Sequence, residues 1–286
     1  MTRTVPDFDA LDLHRAPTEG PVAFGGVLGP QTLLSAYRRG LFPLPAADDY
    51  AAAYNEALHG DAVEAGEVAL LPGGADPYAL AWWSPDPRPV LRPGAVRLPR
   101  RLARRLRAAG AAGGADGAGG AGGQGGAGGA GGGASGVPEW WTTADRAFGA
   151  VLAACAEGRQ PAWLTEELRS VLVELHRLGA AHSVEVWEGE ELIGGVFGVA
   201  VGAALSLDSM FHRRPDAARI AVADLGARFG AAGGRLLDAQ WDGPYVRSLG
   251  AEPTGRSRYL GELAAAVGGL AAGTLPDGRL PVARLV

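Results

Sequence analysis

Lysine is absent from the 286 residues: all 26 basic side chains are arginine, against 31 acids, for a net charge of −5. A Walker-type phosphate loop, which requires lysine, is therefore excluded. The single cysteine, Cys155, excludes an internal disulfide framework and a cysteine-based metal cluster within one chain, and suits a reducing compartment. The five histidines are scattered without H-E-x-x-H or comparable spacing, so neither a metal nor another cofactor is expected. No basic region followed by an apolar run opens the chain, which predicts a cytoplasmic protein. The longest weakly polar run, 194–207, is glycine-rich and shorter than the ~20 residues of a spanning helix, so no membrane contact is expected.

What is present is enough for a large core: 47% of residues are hydrophobic and 20% charged. Residues 110–136 hold 16 Gly and 8 Ala and lack side chains able to offset ordering entropy, so the tract reads as a flexible surface insert within folded protein. Residues 44–80 carry seven acids and no arginine and read as a second irregular, mobile stretch. The charge then reverses, with eight arginines and no acid between Arg88 and Arg107. Leu98, Leu102 and Leu106 share one helical face and Pro99 suits a first turn, so Arg100, Arg101, Arg104, Arg105 and Arg107 point outward. A solvated charged face and a phosphate-binding face both fit that pattern.

The second half is more regular. The spacing predicts a helix over 165–179, three strands between His182 and Phe211, a helix over 216–229, a buried strand in GGRLLDAQW (233–241), and short helices at 246–251 and 258–267. This order gives an α+β fold. On the last strand Asp238 and Gln240 lie two apart, which places both on one face, with Leu237, Ala239 and Trp241 on the other. A satisfied buried hydrogen-bond pair and a working site both fit. Asp208 and Met210 likewise share a face by alternation, where a carboxylate beside apolar surface either holds a cationic amine or caps a turn. Seven tryptophans offer packing, and a subset would offer stacking surface for unpaired bases.

Several segments in order, WWSPDPRPVL (82–91), AHSVEVW (181–187), SMFHR (209–213), GGRLLDAQW (233–241) and SLGA (248–251), together with VAFGGVLGPQTLLSAYRRGLFP (22–43), resemble the leucyl/phenylalanyl-tRNA–protein transferases over nearly the whole chain. The resemblance implies a small N-terminal domain, 1–86, resting on a GNAT-like catalytic domain, 87–286, with a mixed and mainly antiparallel sheet. The 44–80 and 110–136 stretches then look like insertions. It implies transfer of Leu or Phe, and also Met, from aminoacyl-tRNA to the α-amine of proteins beginning with Arg or Lys, which marks them for degradation.

It further implies Asp238 and Gln240 as catalytic residues, the Gln240 carbonyl accepting a hydrogen bond from the attacking amine while Asp238 holds and polarises the Gln240 side chain. Asp208 and Ser209 fall in the substrate-binding segment, and Val196, Leu205, Met210, Val222, Leu225 and Leu237 map to an apolar side-chain pocket. Trp163 matches a tryptophan that looks like an adenine-stacking partner, and Tyr37 matches a substrate-binding tyrosine. Arg97, Arg100, Arg101, Arg104, Arg105 and Arg107 are then expected to meet the tRNA backbone, and a monomer is expected. The sequence departs from the family pattern at Leu44 (for Trp), Leu207 (for Gly), Asp208 (for Glu), 217–219 and Tyr245 (for His). A diverged aminoacyl-tRNA-binding protein without activity, and a related acyltransferase with another acceptor, are the alternatives.

Overall fold

The computed structural model describes residues 5–115 and 140–286. Elements before residue 86 build a four-stranded sheet: β1 (Pro21–Gly25), α1 (Pro30–Arg38), β2 (Phe42–Pro45), α2 (Asp49–Glu64), β3 (Ala69–Leu71) and β4 (Leu80–Trp83), with strand order β2-β4-β1-β3. The acidic stretch 44–80 is thus ordered, contrary to the sequence expectation. The Asp48 side chain accepts the Ala51 N–H at 2.8 Å as an N-cap, and the alanine-rich run that follows has high helix propensity. Ala52 is buried, and Ala62 and Val63 pack on Phe24, Val68 and Ala81.

The remaining elements are β5 (Arg88–Leu91), α3 (Arg100–Ala115), β6 (Trp140–Ala144), α4 (Phe148–Ala156), α5 (Glu166–Arg177), β7 (Ala181–Glu188), β8 (Glu191–Val201), β9 (Ala204–His212), α6 (Ala217–Ala231), β10 (Leu236–Asp238), α7 (Pro244–Ser248), β11 (Glu252–Thr254), α8 (Arg256–Gly268) and β12 (Leu280–Pro281). Their strands form one sheet in the order β11-β5-β10-β9-β8-β7-β6-β12, in which, among the described residues, only β9 and β10 run parallel. The α+β class read from the sequence is the class observed. Local chemistry explains the ends: Thr165 caps α5 through the Leu168 N–H, with acids in its first turn and His176 and Arg177 in its last. Helix α3 buries Leu102 and Leu106 as expected. It also continues through 110–115, so the start of the glycine-alanine tract is helical; the remainder of 110–136 lies outside the described residues.

The two sheets share an apolar core that joins Phe8, Tyr37, Phe42 and Trp82 to Phe148, Leu175, Phe197 and Tyr259. A second cluster lies on the α6 face of the large sheet. No helix among the described residues is long and apolar enough to cross a membrane.

Candidate active site

Arg88 begins β5 between apolar neighbours and is 1% exposed, so its charge requires a partner. Asp238, where β10 ends, supplies one: Arg88 Nε donates to Oδ1 and Nη2 to Oδ2, both at 2.7 Å. Arg88 Nη1 donates to the Gly40 carbonyl at 3.2 Å, and the guanidinium lies 4.8 Å from the ring centres of both Phe42 and Tyr259. Gly40 is confined by that packing: its φ is +76°, and a Cβ would meet Tyr259 and Leu260 side chains at 2.9 Å. Burial would strip the Arg88 proton, but the Asp238 carboxylate outweighs it and raises the pKa. Asp238 Oδ2 also accepts the Tyr259 hydroxyl at 2.8 Å, and Oδ1 accepts the Gln240 backbone N–H at 2.9 Å.

That last bond is an Asx turn, and it ends the strand. Gln240 has φ +59°, in the left-handed region that non-glycine residues rarely adopt. Strand alternation therefore does not put Asp238 and Gln240 on one face, as the sequence pattern suggests; the turn brings Gln240 back toward β9. There its Nε2 donates to Ser206 Oγ at 2.8 Å and to Asp208 Oδ1 at 2.7 Å. Both amide hydrogens are engaged, and Oε1 has no protein partner among the described residues.

A β-bulge sets the position of Asp208. Between β8 and β9 the register passes from Gly198 opposite Leu207 to Phe197 opposite Ser209, leaving Asp208 as the extra residue. Gly198 is needed at this point, since a Cβ there would overlap the Ser206 carbonyl. The bulge moves Asp208 off the face of Met210, correcting the alternation argument: Leu205, Leu207 and Met210 pack in the α6-side cluster, while Phe211 packs in the opposite core. Asp208 Oδ2 accepts the Tyr37 hydroxyl at 2.7 Å. Burial, and then Asp208 itself, push the Tyr37 pKa well above its ordinary value, so its hydroxyl remains a donor.

Burial also pushes the Asp208 carboxyl up to about 7, against the Tyr37 hydrogen bond, which lowers it. The folded protein therefore retains a proton here that the unfolded chain releases near 3.8, so stability falls between about pH 4 and 7 and levels off above. Thermal melts at pH 5 and pH 8 should show a larger decline for the wild type than for Asp208→Asn; equal declines would reassign the slope to other groups.

Beyond the pair Asp238 and Ser206, β10 ends while β9 continues, paired only with β8. The β9–β10 ladder thus stops beside Asp208 and Gln240, and the Gln240 side chain spans its end. Trp241, 42% exposed, follows Gln240 and packs edge-on against Phe42 at 5.4 Å and Trp83 at 5.2 Å.

Sequence comparison gives this cluster its setting. A family model described as leucyl/phenylalanyl-tRNA protein transferase matches residues 137–264. The leucyl/phenylalanyl-tRNA–protein transferase of Aromatoleum aromaticum is 34% identical over 262 residues, covering 91% of this chain and 86% of the relative. This chain belongs to the leucyl/phenylalanyl-tRNA–protein transferase family. Similarly named proteins are 34% identical in Xanthomonas euvesicatoria, over 85% of this chain and 75% of the relative, and 32% identical in Shewanella baltica, over 88% and 84%. As a member of the leucyl/phenylalanyl-tRNA–protein transferase family, the chain is an aminoacyltransferase.

Of the residues singled out in this transferase family member, Asp238, Gln240, Asp208 and Tyr37 meet in one hydrogen-bonded group. Asp238 grips the Gln240 backbone, while Ser206 and Asp208 hold its side-chain amide, correcting the expectation that Asp238 orients that side chain. Tyr37 is buried with its hydroxyl committed to Asp208. Ser209 is buried, as is Cys155, whose thiol burial pushes up to about 12. Val196, Leu205, Val222, Leu225 and Leu237 are fully buried in the α6-side cluster, and Met210 packs against them partly exposed. Trp163, half-buried before α5, packs on the main core, and no hydrogen bond or ring contact joins it to Gln240. Arg97, Arg100, Arg101, Arg104, Arg105 and Arg107 are all exposed, without ion pairs among the described residues.

Arg88, Tyr259 and Ser206 complete the group and were not anticipated. Arg88 is not part of the cationic surface. Its signal was an arginine inside the apolar strand RPVL, where burial demands a carboxylate from elsewhere in the chain.

Proposed function

We propose that this chain transfers Leu or Phe, and also Met, from aminoacyl-tRNA to the α-amine of proteins beginning with Arg or Lys. The observation that carries the reading is the Gln240 amide: both hydrogens are anchored, and Oε1 remains to accept a hydrogen bond from an attacking amine. The neutral amine attacks the ester carbonyl, the C–N bond forms, and the C–O bond to the tRNA ribose breaks. The proton lost from nitrogen passes to the departing ribose oxygen. An aminoacyl ester is already reactive, so holding the partners in attack geometry provides most of the acceleration, more than acid–base chemistry.

The end of the β9–β10 ladder beyond Ser206 suits a substrate that straddles β9. On one side the half-buried Asp208 carboxylate meets the cationic acceptor side chain or amine. On the other the amino-acid side chain enters the apolar cluster, where Met210, unbranched and partly exposed, moves aside for it. An apolar pocket discriminates by only about 1–3 kcal/mol per methylene, which fits acceptance of several side chains. The exposed arginines of α3 contact tRNA phosphates by charge and shape, with Trp163 as a stacking surface for the terminal adenine. In this reading residues 1–86 form the smaller domain, 87–286 the GNAT-like catalytic domain, and the enzyme acts as a cytoplasmic monomer whose products are marked for degradation.

The test is transfer of radiolabelled Leu and Phe from charged tRNA to a peptide beginning with Arg, beside the same peptide beginning with Ala. Transfer to the Arg peptide alone is expected. No transfer, with charged tRNA still bound, would make the chain a binding protein.

A further inference from the structure

The acidic helix α2 takes no part in the chemistry above. Its inward side is Ala52, Ala62 and Val63, yet Tyr50, Tyr54 and Leu58, spaced one helical turn apart, are 81%, 59% and 59% exposed. Leu70 of β3, 52% exposed, lies on the same side of the small sheet, because it pairs with Phe24, which packs beneath α2. Exposed Asp49, Glu56, Asp61 and Glu64 accompany this stripe, and the sequence holds no arginine between Arg39 and Arg88, His59 being the one titratable nitrogen base there. None of those four carboxylates forms an ion pair among the described residues.

We propose that α2 is a docking face for the acceptor polypeptide, engaging a basic and apolar segment downstream of its N-terminal Arg or Lys; this rests on the transfer reading above. Charge selects the occupant. The acids attract a cationic polypeptide and repel phosphates, while the exposed arginines of α3 do the reverse, so opposite fields sort the two substrates to different faces. Tyrosine pairs rigid apolar area with a polar tip, the chemistry of protein-binding anchors. The helix that carries the face is anchored near the transfer site: on its inward side Val63 packs on the same small cluster as Trp83, and the Trp83 ring meets Trp241, the residue after Gln240, at 5.2 Å.

The experiment compares two acceptors with the full-length chain: the dipeptide Arg-Ala, and a long peptide beginning with Arg and continuing with alternating Arg and Leu. In Tyr50→Ser/Tyr54→Ser/Leu58→Ser, KM for the long peptide should rise about fivefold or more, while kcat and both constants for Arg-Ala stay unchanged. Glu56→Lys/Asp61→Lys should act in the same direction, and added salt should weaken long-peptide binding to the wild type. An unchanged KM for the long peptide in both variants overturns the proposal. If the wild type transfers to neither acceptor, the transfer reading fails, and anisotropy of the same long peptide, N-acetylated and fluorescein-labelled, tests the surface independently. Unchanged binding in the triple variant overturns it. Loss of a dimer in sedimentation velocity, with peptide binding intact, also overturns it and assigns the face to a second copy.

Discussion

Gln240→Ala is expected to lower transfer by about 10²–10³-fold in single-turnover assays, with affinity for charged tRNA within about threefold of wild type. The side chain lost is the one whose amide is tethered by Ser206 and Asp208 so that Oε1 has a fixed direction. Gln240→Glu tests the tether itself. A carboxylate cannot donate to Asp208, and the two acids would face each other where a 2.7 Å hydrogen bond now exists. This variant should be as inactive as alanine at neutral pH and recover partly as the pair takes up a proton. If tRNA affinity falls in step with turnover in either variant, Gln240 is a binding group and the positional role is wrong.

Arg88→Met is expected to destabilise the protein by about 3–5 kcal/mol, because removing one member of a buried pair leaves the other charge uncompensated. Urea unfolding followed by tryptophan fluorescence measures it. Asp238→Ala carries a comparable penalty, since it strands Arg88 and leaves the Tyr259 hydroxyl and the Gln240 N–H without their acceptor. Stability and transfer therefore fall together in that variant. The double variant Arg88→Met/Asp238→Leu separates them: it should recover much of the stability, as apolar replacement of a whole buried pair does, and remain inactive because the Gln240 turn has lost its carboxylate. Additive losses in the double variant would show that the pair itself is not what stabilises the junction of the two sheets.

The long periodic segments were legible in the sequence because a single buried face dictates their spacing. Helices α5 and α6 and strands β7 to β9 follow the predicted order, and Leu102 and Leu106 turn inward on α3 as their spacing requires. Composition misled for α2: a lack of arginine looked like a lack of structure, whereas Asp48 and the alanines after it carry a cap and a high helix propensity. At the site, Asp238, Gln240 and Asp208 were identifiable, but not how they meet. Both local deviations, the left-handed Gln240 and the bulge at Asp208, break the alternation on which a strand reading depends. Arg88 was counted with the basic run because linear charge says nothing about burial, and its partner lies 150 residues away.

That separation bears on when during synthesis the site comes into being. A growing chain makes Arg88 and Gly40 early, then extends through most of the large sheet before Asp238 exists, and further still before Tyr259. Until then the guanidinium has the Gly40 carbonyl and the Phe42 ring within reach but no carboxylate for a partner. The Asx turn that aims Gln240 likewise awaits Asp238, so a nascent or prematurely ended chain lacking β10 has the basic helix but no means to use what that helix would gather. Competence for transfer arrives late and all at once, with the ion pair that joins the first part of the chain to the last.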